Sequence, residues 1–210
     1  MLSKALLLKQ LYLRKLIGER YCESIQFRAS KDSVFNKNNL NDVINNCNLC
    51  ELSKISKEKI LGLCDNTSKI AFVTLKPILP FSMSQEMIKN IANRVFEVES
   101  YSLLSIIKCN ANTNIKDTHI SICKEYIKTQ LDSIEPTLII LFGADIAKYL
   151  LHSDERLEDL RGRILRSKNL LNKERDFIVT YAINDLVKNP SLKKLSFEDF
   201  KIAKEFLNKN

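Results

Sequence analysis

The chain reads as an α/β protein, a three-layer α/β/α sandwich with a central, mainly parallel four-stranded sheet. Three observations predict this: short apolar runs rich in β-branched residues recur along the chain, helical patterns separate them, and the runs are apolar without alternation. Strands that are apolar throughout are covered on both faces, and helices between consecutive strands supply both the cover and the crossovers that a parallel sheet requires. The strand candidates are KIAFVT (69–74), YSLLSIIK (101–108), PTLIILFG (136–143) and DFIVTYA (176–182). Helices are expected at about 83–96, 117–134 and 144–152, with a last one at about 194–208. In such sheets working residues collect at the carboxyl ends of the strands, here 74–77, 108–110, 143–144 and 181–184.

Ahead of the sheet, Leu2, Leu6, Leu7, Tyr12, Leu13 and Leu16 fall near a helical period and Gly18 is placed to end it. Residues 3–17 therefore read as an amphipathic surface helix, able to cap a core or dock a partner. Lys4, Lys9, Arg14 and Lys15 interrupt its apolar runs before they reach signal-peptide or membrane-spanning length. A cytoplasmic protein without membrane association is expected. The polar stretch Ser30–Asn41 reads as a loop leading into a short helix at about 40–47. It is an internal linker, so residues 1–210 are expected to form a single domain with 1–40 as an N-terminal helix-and-loop extension, and a monomer is expected.

The chain has 210 residues, 45% of them hydrophobic, enough for a sizeable core without disulfides. Thirty-three Lys and Arg against 25 Asp and Glu leave a net charge of +8. A positive surface favours a polyanion and makes nucleic acid the first partner to test; the alternative is a Lys- and Asn-rich composition that is merely solvated. No protein partner is named by the sequence.

Six cysteines in a reducing compartment raise metal ligation or burial rather than disulfides. Cys47 and Cys50 form a C-x-x-C, which places two thiolates within reach of one metal centre; Cys109 follows the second strand and Cys123 lies on the next helix. One tight pair with a second, widely spaced pair is less typical of structural zinc than of a cuboidal cluster. Cys22 and Cys64 have no partner at ligand spacing and are expected to be buried as small apolar residues.

Over roughly 40–208 the order CNLCELSK, IAFV, IIKC, ICKEYIKTQLDSIEPTLIILFGADIAKYLL, LRGRIL and VTYAINDLVKNPSLKK resembles the iron-sulfur uracil-DNA glycosylases, families four and five of their superfamily. The middle phrase carries the match at Cys123, Gln130, Ile134, Pro136, Ile139, Ile140, Gly143, Ala147, Leu150 and Leu151. The resemblance implies the glycosylase form of the α/β/α sandwich and a structural 4Fe-4S cluster on Cys47, Cys50, Cys109 and Cys123.

The chain departs from the family where chemistry is done. The family's Gly-Glu-x-Pro-Gly loop after the first strand is here Thr74-Leu75-Lys76-Pro77-Ile78, with only Pro77 matching. Pro80 and Phe81 correspond to the family's Pro-Phe, whose ring stacks on the flipped base, although Phe81 is equally compatible with the core. The asparagine that reads the uracil edge is replaced by Ser105, one hydroxyl where an amide offers a paired donor and acceptor. In the last motif Ala182 and Ile183 stand where the family has His-Pro. Losing one such charge-stabilising group typically costs about 2.7–4 kcal/mol of transition-state stabilisation. No catalytic residue is therefore assigned, the family positions being occupied by Leu75 and Ala182, while Phe81, Ser105 and Asn184 remain base-pocket candidates.

Lys76, Lys108, Arg161, Arg163 and Lys188, with Lys193 and Lys194, fall beside the loops where the family meets phosphates, and Arg161-Gly162 matches its Arg-Gly step. They are DNA-binding candidates or, alternatively, scattered surface charge. Three functions stay open: a glycosylase-fold iron-sulfur protein that has lost standard excision but binds DNA, an active glycosylase with rearranged groups that extrudes a base, and a scaffold acting through its N-terminal helix. Excision activity separates the second, and absence of DNA binding at low salt leaves the third.

Overall fold

The computed structural model describes Tyr12, residues 37–167 and residues 173–209, with the side chains of 37–39 excepted. The chain divides into two units, 1–34 and 35–210, and the sheet with its covering helices belongs to the second. Of the helix expected at 3–17 only Tyr12, which is helical, lies among the described residues; Cys22 lies outside them.

The order of elements is α1 (Lys37–Asn45), α2 (Glu51–Ile55), β1 (Ile70–Thr74), α3 (Met83–Ile91), β2 (Ser102–Ser105), α4 (Asp117–Ile134), β3 (Leu138–Phe142), α5 (Ala144–Leu151), α6 (Leu157–Leu160), β4 (Leu165–Ser167), β5 (Arg175–Thr180), α7 (Ile183–Lys188) and α8 (Leu192–Lys209). A π-helical turn, Ala92–Phe96, extends α3. The sheet runs β2-β1-β3-β5-β4. Its first four strands are parallel and stand where the sequence places them. The fifth, β4, pairs antiparallel with β5 at the edge and adds to the four strands expected.

The three layers follow from side-chain alternation along the strands. Ala71, Val73, Ile139, Leu141, Phe177 and Val179 face one side, where they pack against Ile120, Cys123, Ile127 and Leu131 of α4 and Ile146, Ala147 and Leu150 of α5. Ile70, Phe72, Leu138, Ile140, Phe142 and Ile178 face the other, against Ile88 and Ile91 of α3 and Phe200 and Ala203 of α8. Phe72, Phe96, Phe142 and Phe200 form a chain of tilted and edge-on ring contacts there, with centroids 6.0–6.3 Å apart. Among the described residues no helix is long and apolar enough to cross a membrane.

Candidate functional site

The carboxyl ends of β1, β3 and β5 open onto a cavity of about 330 Å³. Its wall comprises Thr74 to Leu79, Ser82, Ser84, Phe142, Asp145, Ile146 and Ala182 to Asn184. Local geometry fixes this wall. Thr74 Oγ1 donates to the carbonyl of Lys76 at 2.7 Å and turns the chain out of β1. Gly143, at φ 118°, caps α5 in a conformation that side chains rarely adopt, and a Cβ there would stand 3.4 Å from that of Ala182. Asp145, on the first turn of α5, is the carboxylate of the wall, and no motif in the sequence singles it out.

The base-pocket candidates do not assemble as expected. Asn184 lines the cavity. Ser105 lines the neighbouring depression between the 58–63 segment and β2, and its buried hydroxyl donates to the carbonyl of Ile107 at 2.7 Å. Phe81 lines neither and is fully exposed, which corrects both the core placement and the inward stacking position. The histidines lie elsewhere: His119 is buried in α4, where its Nδ1 accepts from the Lys116 amide, and His152 caps the end of α5.

Two phosphate-contact candidates are also corrected. Lys108 is 1% exposed and its ammonium donates to Gln130 Oε1, while Gln130 Nε2 donates to the Leu61 carbonyl at 2.8 Å. Burial pushes the Lys108 ammonium down to about 7. Arg161 is spent on Asp199 of α8: its Nε donates to Oδ2 at 3.2 Å and its Nη2 to the Leu195 carbonyl, leaving Nη2 only an ionic contact with Oδ1 at 3.1 Å. Thr180 Oγ1 donates to Asp199 at 2.8 Å, and the guanidinium lies over the Tyr181 ring. Arg163 is exposed and paired with Glu155, whereas Lys76, Lys188, Lys193 and Lys194 are not buried. The Lys76 ammonium donates to the carbonyl of Thr113.

Cys47, Cys50, Cys109 and Cys123 are all buried free thiols, while Cys64 is exposed, against the expectation that it packs inside. Cys50 caps α2, where Ser53 Oγ donates to its carbonyl at 2.6 Å. The 58–63 segment runs antiparallel beside β2 and its extension, bridging Leu63 to Leu103 and Lys59 to Cys109, and so carries Cys109 toward α2. Cys123 shares the inward stripe of α4 with Tyr126, Ile127 and Gln130 at helical spacing. Burial raises the Cys123 thiol to about 11, with the charges of Cys50, Cys109 and Cys47 adding to the rise. Burial, then the charges of Cys50 and Cys47, likewise raises Cys109. Burial and a hydrogen bond with Cys47 raise the Tyr126 hydroxyl. The four thiols thus share one electrostatic neighbourhood. Among the described residues, however, no three His, Cys, Asp or Glu side chains converge closely enough to hold a single metal ion.

The family model described as "Uracil DNA glycosylase superfamily" matches residues 61–207. A type-4 uracil-DNA glycosylase of Saccharolobus solfataricus is 24% identical over 183 residues, covering 80% of this chain and 84% of that protein. A type-4 uracil-DNA glycosylase of Sulfurisphaera tokodaii is 29% identical over 128 residues, 57% of this chain and 56% of that protein.

Proposed function

Because the chain belongs to the uracil-DNA glycosylase superfamily, we propose that it is a DNA-binding, iron-sulfur member that has lost standard uracil excision and acts as a cytoplasmic monomer. The observation that carries the loss is the lining of the cavity at the strand ends. Thr74 and Leu75 occupy the positions of the family's Gly-Glu, and Ala182 occupies that of its histidine. Uracil leaves as an anion, so the site must offer a donor that strengthens as the glycosidic bond breaks. Neither histidine is at the cavity, and the Lys76 ammonium is directed to Thr113.

The 4Fe-4S cluster is proposed on Cys47, Cys50, Cys109 and Cys123. Buried thiols whose deprotonation is suppressed become ligands only against a cationic centre that offsets the loss of water. A cluster takes one thiolate per iron, so its four sulfurs need not meet around one ion, in keeping with the absence of a single-ion site among the described residues. In this position it ties the 47–50 turn, the end of β2 and α4 together, and its role is structural.

A second reading, retained excision by rearranged groups, draws on one observation: Asp145 places a carboxylate on the cavity wall, where it is able to orient a water. One sample decides between them. Protein purified anaerobically is assayed for iron, sulfide and visible absorption, then for uracil release from single- and double-stranded DNA. About four irons per chain with a broad charge-transfer band, and no release, is the expected result. Release by cluster-loaded protein overturns the loss of chemistry, and its abolition in D145N assigns the activity to the rearranged site. Protein free of iron removes the cluster.

A further inference from the structure

Among the described residues Lys108 is the only lysine sealed from water. Burying an ammonium is costly unless an opposite charge lies nearby. No carboxylate among the described residues pairs with it, and the acceptor that its N–H groups find there is Gln130 Oε1. The far end of that amide fixes its orientation: Gln130 Nε2 donates to the Leu61 carbonyl at 2.8 Å and approaches Cys64 Sγ at 3.5 Å, so the oxygen faces the ammonium. A neutral amide accepts the hydrogen bond and leaves the charge uncancelled.

The groups near the ammonium that are able to carry negative charge are the thiols of Cys64 and Cys123. A free thiol is mostly protonated at neutral pH, so neither offsets the ammonium on its own. Lys108 directly precedes Cys109, and its backbone amide donates to the Cys123 sulfur. Its side chain reaches Gln130, which shares the buried stripe of α4 with Cys123. The residue thus joins two of the four proposed cluster ligands and brings a positive charge with it. We propose that the Lys108 ammonium is the internal counter-charge of the 4Fe-4S cluster, offsetting the net negative charge that four thiolates and four sulfides leave on the cubane. The inference rests on the cluster proposed above and deepens it by assigning its charge balance to one residue. A cation beside the thiolates favours the reduced cluster, which carries one more electron, over the oxidised one, so the midpoint potential depends on it as well as cluster retention.

Wild type, K108M, K108Q and Q130L, each purified anaerobically with its cluster, test this through iron release to a chelator and the midpoint potential in a titration with dithionite. K108M keeps much of the side chain's length and removes its charge; it is expected to release iron about tenfold faster and to titrate at a more negative midpoint. K108Q is also neutral but keeps a donor for Gln130, and it is expected to shift in the same direction. Q130L removes the hydrogen bond and leaves the charge, and it is expected to keep the wild-type midpoint. Neutral variants with the midpoint and iron release of wild type overturn the counter-charge and leave the cluster standing. A midpoint shift in Q130L equal to that in K108M, with none in K108Q, assigns the effect to the hydrogen bond and overturns the counter-charge too. Wild type free of iron fails the cluster itself and the counter-charge with it.

Discussion

At the end of β5 the carboxylate of Asp199 is almost wholly removed from water, and Arg161 makes that burial tolerable. Burial raises the carboxyl above its usual range, while Thr180 and Arg161 pull it back. Removing the arginine strands a charge in the core, which typically costs about 3 kcal/mol or more. R161A should therefore lower the urea midpoint strongly at neutral pH. The sign of the pH effect follows from linkage. A carboxyl whose native pKa lies above its unfolded value keeps its proton in the native state over the interval between the two, so stability rises as pH falls through the native pKa. R161A pushes the Asp199 carboxyl higher still, and the stability gap between variant and wild type should narrow as the pH falls through the variant's raised native pKa. A gap that stays constant would show that the Asp199 charge is not what the arginine offsets. Nothing local in the sequence marks Asp199: its partners lie at 161 and 180, and only the tertiary fold brings them to α8.

The segment before β1 owes its course to one glycine. Gly62 adopts φ 87°, and a Cβ there would lie 2.5 Å from the carbonyl oxygen of Leu103, a backbone atom that cannot swing aside. G62A combines left-handed strain with this clash and should cost at least about 2 kcal/mol. The same bridges position Cys109, so the variant should also retain less iron, measured against its thermal melt; full iron content at wild-type Tm would deny the coupling. Elements of this scale are unevenly legible in the sequence. Helix α4 spans 117–134 as its apolar period indicates, and the four parallel strands fall on the predicted apolar runs, β5 starting one residue earlier at Arg175, because burial on both faces leaves a plain pattern. Strand β4 is three residues, Leu-Arg-Ser, none of them buried; it exists by pairing with β5 and through the Arg166–Asp176 ion pair, neither visible in a local window. Lys108 follows a strand end, where a lysine reads as surface, yet its partner Gln130 lies 22 residues away on α4. The cysteine spacing is readable because ligands are marked by residue type, whereas the turn that exposes Phe81 depends on backbone geometry that the sequence does not encode locally.

For the molecule as a whole, a net charge of +8 counts less than where the cations stand. Sequence alone offers seven phosphate-contact candidates, Lys76, Lys108, Arg161, Arg163, Lys188, Lys193 and Lys194. Burial removes Lys108, the ion pair with Asp199 occupies Arg161, and Glu155 holds Arg163, which leaves four solvent-accessible lysines. On single-stranded DNA each neutralised phosphate contributes about −0.7 to the slope of log K against log salt, so four contacts predict a slope of about −3 and seven about −5. Anisotropy titrations across a salt series measure this directly. A wild-type slope near −5 would mean that Arg161, Arg163 and Lys108 all leave their partners when DNA binds, which demands that α8 and the β5 end reorganise. A slope near zero would mean that charge does not hold the DNA, and the positive surface would then be no more than a solvated composition.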